Sequence, residues 1–147
     1  MKRVHNSRDR GVALVELALM LPVLITMFLA AIDLGVILRE HQIVQNAARE
    51  GARFSSLPQN WINPVNPSAN VDAIKQRVID YLAAENISVA AGNITVNQQY
   101  PIIVGGLTLQ GSCVTVTYAR ALAVSASPLL PGNPVTLTGK SVFRNLY

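Results

Sequence analysis

The chain is poor in the residues that build disulfides and metal sites. It has one cysteine, Cys113, so it cannot form an internal disulfide and its fold depends on packing alone. Its two histidines, His5 and His41, lie far apart, and each lacks a cysteine or carboxylate at ligand spacing. We therefore predict no metal and no cofactor.

Charged residues are also scarce, at 14% of 147 residues, whereas hydrophobic residues make up 50%. This composition is too apolar for a disordered chain and low in charge for an ordinary soluble domain. The net charge is +4, of which +3 lies in residues 1–10, so the rest of the chain has no basic surface of the kind that binds nucleic acid. The sequence predicts one globular domain with an apolar appendage and no nucleic-acid partner.

A long apolar run follows the basic residues. From Val12 to Ile32 only Glu16 interrupts it, and 21 helical residues span about 30 Å, the thickness of a bilayer core. Because basic flanks stay in the cytoplasm, residues 1–10 should be cytoplasmic and the body external, with Asp33 at the external boundary. Pro22 lacks a backbone donor and should kink the helix.

A cleaved secretory signal is the ordinary alternative for such a segment. Its cleavage site would lie near Leu29, Ala30 and Ala31. Two features oppose it: the apolar run exceeds a usual signal core, and Glu16 costs a few kcal/mol of insertion energy unless it has a partner.

The residues around Glu16 suggest what that partner is. A basic leader ending in Gly11, four apolar residues from Val12, then glutamate and a long apolar helix resemble the processing site of type IV prepilins and pseudopilins. The resemblance implies that a prepilin peptidase cuts between Gly11 and Val12 on the cytoplasmic side. Glu16 would then neutralise the new amino terminus of a neighbouring subunit.

Three further segments resemble the TadE-like family of the tight-adherence (Tad) pilus system. The members of that family are bacterial pseudopilins. They are VELALMLPVL at residues 15–24, DLG at 33–35 and QNAAREGAR at 45–53. The resemblance implies residence in the bacterial inner membrane, with the head in the periplasm. It also implies as partners the peptidase, other pilins or pseudopilins, pilus assembly platform proteins and membrane lipid.

The helix is expected to continue beyond the membrane as a stem to about residue 56. Its apolar and small residues share one stripe, namely Ile37, Val44, Ala47, Ala48, Gly51, Ala52 and Ser55. The small residues permit close approach of either the protein's own sheet or a second subunit's helix. Arg49, Glu50 and Arg53 should form a solvated surface with weak ion pairs, and the resemblance makes them a candidate contact for assembly partners.

The remainder predicts a small α+β head. A Pro- and Asn-rich loop at residues 57–67 carries Trp61 as a lid over the core, and Asn70 should cap a helix from about Val71 to Glu85. Three strands near 93–99, 112–120 and 134–144 should form an antiparallel sheet with Cys113 as a small core residue and Gly105-Gly106 as a turn. The expected domains are a leader at 1–11, a transmembrane and stem helix at 12–56, and an external head at 57–147.

The sequence gives no sign of catalysis. It has neither a G-x-S-x-G motif nor a close pair of carboxylates, and nothing else in it points to the catalytic residues that a secreted hydrolase released near Ala31 would need. The remaining alternative is an uncleaved, signal-anchored envelope module with no pilus role. We therefore predict a protein that works by assembly and is not an enzyme.

Overall fold

The computed structural model describes residues 7–60, 67–122 and 134–145. Its two α-helices and three strands are α1 (Ser7–Ser55), α2 (Pro67–Ala84), β1 (Ile94–Val104), β2 (Leu107–Arg120) and β3 (Val135–Arg144). The strands form one antiparallel sheet in the order β1-β2-β3. The predicted α+β fold, with a long helix, one further helix and a three-stranded antiparallel sheet, is confirmed.

The first helix, α1, is 49 residues long and begins before the predicted end of the leader. It runs without interruption through Gly11 and Pro22. The Thr26 hydroxyl donates a hydrogen bond of 2.8 Å to the Pro22 carbonyl, an arrangement that often bends helices. A helix satisfies its own backbone hydrogen bonds, so the apolar first part of α1 is compatible with lipid around it.

The last part of α1 packs on the head through the predicted stripe. Val44, Ala47, Ala48, Ala52 and Ser55 are completely buried. A Cβ atom placed on Gly51 would lie 2.4 Å from Val78 in α2 and 3.3 Å from Val114 in β2. The small residues therefore admit the protein's own α2 and sheet.

The second helix, α2, starts earlier than its sequence pattern predicts. It begins at Pro67, so Asn70 lies inside the helix and the prediction that Asn70 is the cap is wrong. Proline suits a first helical turn because its φ is already helical and its missing N–H has no partner to lose there. The predicted apolar side of α2 is buried, with Ile74, Val78 and Leu82 completely inaccessible to solvent.

The β1–β2 hairpin is longer than predicted. The two strands continue to a turn at Gly105-Gly106, where both glycines have positive φ (58° and 83°), as a tight hairpin turn requires. Pro101 does not end β1 because β1 is an edge strand, where a missing N–H is tolerated. Cys113 is 5% exposed in β2.

The sheet lies along the buried part of α1, and β2 runs antiparallel to it. Ser112, near the start of β2, reaches Ser55 at the end of α1, whereas Arg120, at the end of β2, reaches Glu40. The β1–β2 turn therefore lies at the end of the head farthest from the apolar part of α1. The predicted lid residue, Trp61, lies outside the described residues.

Candidate assembly site on the long helix

The first half of α1 is an apolar rod with solvent-accessible sides. Every residue from Gly11 to Ile32 is exposed, including Val12 (63%) and Leu19 (71%). The most apolar 18-residue window of the helix has a mean hydropathy of 2.5, and none of that window is buried. By length and composition, this helix is able to span a membrane.

The predicted processing residues lie at the start of this rod. Gly11 is within the helix, and no heavy atom of the described residues lies within 4 Å of the position that a Cβ would take there. Glu16 is exposed and lies five residues further, about 7.5 Å along the axis. None of the ion pairs among the described residues includes Glu16, so its carboxylate faces outward toward whatever surrounds the helix.

Pro22 lies in the middle of the exposed rod. Together with Val23, Thr26 and Met27 it lines a shallow apolar hollow on the helix surface. A hollow of this kind offers side-chain packing to a neighbouring transmembrane helix or to lipid.

Asp33 is the first residue after Gly11 that the fold encloses. Its side chain is 8% exposed, whereas Leu34 beside it is 58% exposed. The part of α1 that the head covers thus begins at the position where the sequence predicts the external boundary of the membrane segment.

Arg49, Glu50 and Arg53 differ in the contacts they make within the chain. Glu50 accepts hydrogen bonds from Arg77 of α2, at 2.9 Å from Nη2 and 3.2 Å from Nε, and so helps to hold the two helices together. Arg49 makes a long contact of 3.5 Å with Asn46, and both Arg49 and Arg53 are exposed. Glu50 therefore has a role within the chain, whereas the two arginines are presented outward.

Two ion pairs at the base of the stem are not predictable from the sequence pattern. Arg39 contacts Glu85 at 3.4 Å, and Glu40 accepts a hydrogen bond of 2.7 Å from Arg120. These partners lie 46 and 80 residues away along the chain, so they cannot be inferred from the spacing of nearby residues. The Glu40 pair is the more enclosed, with side chains 12% and 32% exposed against 72% and 43% for the other.

A buried polar cluster fixes the end of α1 to the sheet. Ser112 donates a hydrogen bond to Ser55, and the Gln98 amide donates to the Ser55 hydroxyl (3.1 Å) and to the Asn60 carbonyl (2.6 Å). Asn145 donates to the Gln98 carbonyl at 3.0 Å. Because these hydrogen bonds form only when helix and sheet are in register, the cluster orients the head on its stem. Two of its buried oxygens, Gln98 Oε1 and Asn145 Oδ1, have no hydrogen-bond partner among the described residues.

Comparison with known proteins gives one match, and it lies on α1. No curated protein and no solved structure matches the chain. The TadE-like protein family matches residues 11–53, a segment that begins at Gly11 and ends two residues before α1 does. It includes the exposed apolar rod, Glu16 and most of the buried stripe, and over these residues the predicted resemblance to TadE-like proteins is confirmed.

Proposed function

We propose that the protein is a pseudopilin-like assembly component of a Tad or related type IV-like pilus or secretion machine. The single observation that carries the proposal is the form of α1, in which an exposed apolar rod with Glu16 near its start continues unbroken into a stem that holds a folded head. The match of residues 11–53 to TadE-like proteins supports it. Its mechanism is assembly rather than catalysis.

The proposed location is the bacterial inner membrane, with a single pass formed by Val12 to Ile32. The net charge of +3 in residues 1–10 holds the amino terminus in the cytoplasm, and the head lies in the periplasm. In this orientation the membrane lipid covers the exposed apolar side chains and retains the subunit in the bilayer until it joins the assembly.

The proposed processing step is cleavage between Gly11 and Val12 by a prepilin peptidase. A peptide bond inside a helix must leave the helical state before a protease can engage it. Glycine lowers that cost by about 1 kcal/mol relative to alanine, and it lets the enzyme approach the backbone closely. The open space around Gly11 supports access to this bond.

After cleavage Glu16 becomes the fifth residue of the mature chain. Its carboxylate pairs with the new amino terminus of a neighbouring subunit, inside an apolar surrounding where an unpaired charge is costly. The partners are therefore the peptidase, other pilins or pseudopilins and pilus assembly platform proteins, for which Arg49 and Arg53 offer an exposed basic contact.

Substitution of Glu16 tests the pairing. Glu16→Gln keeps the shape of the side chain and removes its charge, and Glu16→Ala removes both. Loss of one member of a buried ion pair costs about 3 kcal/mol or more, so both variants should fail to enter the assembly while they insert in the membrane normally. Glu16→Asp, which keeps the charge, should retain part of the assembly.

Assembly is measured by recovery of the protein with its pilus or platform partners, and insertion by extraction of membranes with alkaline carbonate. Assembly of the Glu16→Gln variant at the wild-type level would contradict the pairing role.

A further inference from the structure

The third strand has a regular outer edge. β3 pairs with β2 without interruption from Val135 to Arg144, whereas β1, at the other edge of the sheet, contains Pro101 and an irregular register between Asn97 and Tyr100. Proline, register irregularities and charged side chains all discourage a further strand from pairing with an edge. Since β3 has neither a proline nor an irregular register, its edge is the one more open to such pairing.

The charged residues of β3 give this edge little protection. Lys140 is the only charged residue from Val135 to Phe143, and its ammonium group lies 5.0 Å from the centre of the Tyr100 ring. Tyr100 belongs to β1, two strands away, so the Lys140 charge is directed across the sheet and away from the outer edge. The other charged residue, Arg144, is the last residue of the strand.

Gln45 of α1 bonds to the main chain in the middle of this edge. Its Nε2 donates to the Lys140 carbonyl at 2.9 Å, and its Oε1 accepts from the Lys140 N–H at 3.1 Å. Because both main-chain groups of Lys140 reach α1, they point away from β2, and the alternation of an antiparallel ladder gives Thr138 and Val142 the same direction. We call the outward main-chain groups of these three residues the outer edge.

The two bonds to Lys140 have the form of a strand contact. In an antiparallel sheet, facing residues exchange an N–H···O=C bond in each direction, and a glutamine amide carries the same kinds of donor and acceptor as a peptide group. Gln45 therefore occupies the place that the facing residue of a fourth strand would take. Among the described residues, it is the one side chain that bonds to main-chain atoms of β3.

Gly139 brings α1 close enough for this contact. A Cβ at Gly139 would lie 2.5 Å from the Val44 carbonyl oxygen and 2.9 Å from the Gln45 nitrogen, so no side chain fits between β3 and α1 at this point. The helix backbone lies directly on the strand, and the Gln45 side chain reaches the outer edge from there. The position of Gln45 is thus set by main-chain packing.

We propose that Gln45 closes the outer edge of β3 and prevents the head from pairing edge to edge with β3 of a second copy. An added strand would have to bond to Thr138, Lys140 and Val142 in succession, and Gln45 already holds the central residue. Identical edges are complementary when they run antiparallel, because a twofold axis then places each outward N–H opposite a carbonyl. The proposal depends on neither the pilus role nor cleavage at Gly11.

Gln45→Leu tests the closure in the full chain in detergent. Leucine is similar in size and forms neither bond, so at low protein concentration the Lys140 amide hydrogen should exchange up to about tenfold faster than in the wild type. At higher concentration the variant should associate more than the wild type, and the protection at Lys140 should return as the edges pair. Light scattering after size-exclusion chromatography measures the association, and amide exchange locates it.

Gln42→Leu is the matched control, because it makes the same change on an exposed residue of α1 three positions earlier. It should associate as the wild type does and keep the wild-type exchange at Lys140. In every variant, the amide protection of α2 reports whether the head stays folded.

Two further variants separate closure of the edge from simple attachment of β3 to α1. Gln45→Glu loses the donor to the Lys140 carbonyl but places a charge at the edge, so it should associate no more than the wild type. Thr138→Pro combined with Gln45→Leu removes an outward N–H, a change that an edge strand tolerates, and should return the association to the wild-type level.

The proposal fails if Gln45→Leu exchanges faster at Lys140 yet associates no more than the wild type, because Gln45 would then only attach β3 to α1. Equal association of Gln42→Leu would assign the effect to added apolar surface on α1 and would overturn the proposal as well. Undiminished association of the double variant with Thr138→Pro would show that the copies meet elsewhere than at the outer edge, with the same consequence.

Discussion

At the scale of single residues, the glycines of α1 differ in what surrounds them. A Cβ atom added to Gly11 or Gly35 would have no heavy atom of the described residues within 4 Å, whereas a Cβ on Gly51 would meet Val78 at 2.4 Å. The first two are therefore free to become alanine without a clash. A loss of processing on substitution at Gly11 would therefore not come from a clash within the described residues.

We predict that Gly11→Ala abolishes processing while the protein inserts and folds normally. The added methyl group has open space in the chain, but it stabilises the helix by about 1 kcal/mol and obstructs a protease at the backbone. Gly35→Ala, in the same helix with the same open surroundings, is the control and should be processed as the wild type. The measurement is the mass of each variant after exposure to the peptidase, and full cleavage of Gly11→Ala would contradict the recognition role.

We predict the opposite pattern for Gly51→Ala. Its methyl group must displace Val78 and press on Val114, an overpacking that typically costs about 1 to 3 kcal/mol. Chemical unfolding of the full chain in detergent should therefore show reduced stability of the head, with processing unchanged. An unfolding midpoint equal to that of the wild type would show that this contact is not tightly packed.

The buried stripe around Gly51 was predictable because its period is helical and its residues are small. The partners of Glu40 and Glu50 were not, because ion pairs across 80 and 27 residues depend on how the sheet and α2 lie on α1. A sequence pattern reports which side of a helix is apolar, but not which distant residue meets its charges.

At the scale of elements, two ion pairs join α1 to the rest of the head at its base. Glu40 is 9% exposed and one of its carboxylate oxygens, Oε2, has no hydrogen-bond partner among the described residues, so it relies on Arg120. Arg39 and Glu85 are largely in solvent. Buried pairs are costly to break on one side, whereas exposed pairs contribute little.

We predict that Arg120→Met destabilises the head by about 1 to 3 kcal/mol, because it leaves a buried carboxylate unpaired; the figure allows for the partial exposure of Arg120. Arg39→Met, the matched control, should change stability by less than about 0.5 kcal/mol. The double variant Arg120→Met with Glu40→Gln should recover most of the loss. Equal effects of the two single substitutions on the denaturant midpoint would contradict this ranking.

The boundaries of elements were predicted less well than their existence. The apolar period of α2 indicates its buried side, but the capping pattern predicts a start at Asn70, whereas the helix starts at Pro67. The hairpin is longer than its alternating pattern predicts, because β1 continues past an irregular register between Asn97 and Tyr100 and through Pro101. Both features are tolerated because β1 is an edge strand.

At the scale of the whole molecule, α1 belongs to two environments. Its first half has the length and composition of a membrane span, and its second half is a buried element of the head. The apolar run, the basic leader and the residues around Glu16 made this division predictable from sequence.

The central claim is that α1 is released from its leader as a pilin-type helix. The most direct measurement is the amino-terminal sequence and intact mass of the protein from its native membrane, with and without prepilin peptidase. We predict a chain that starts at Val12 only when the peptidase is present. A chain that keeps its leader in both samples would contradict the claim and identify an uncleaved envelope anchor instead.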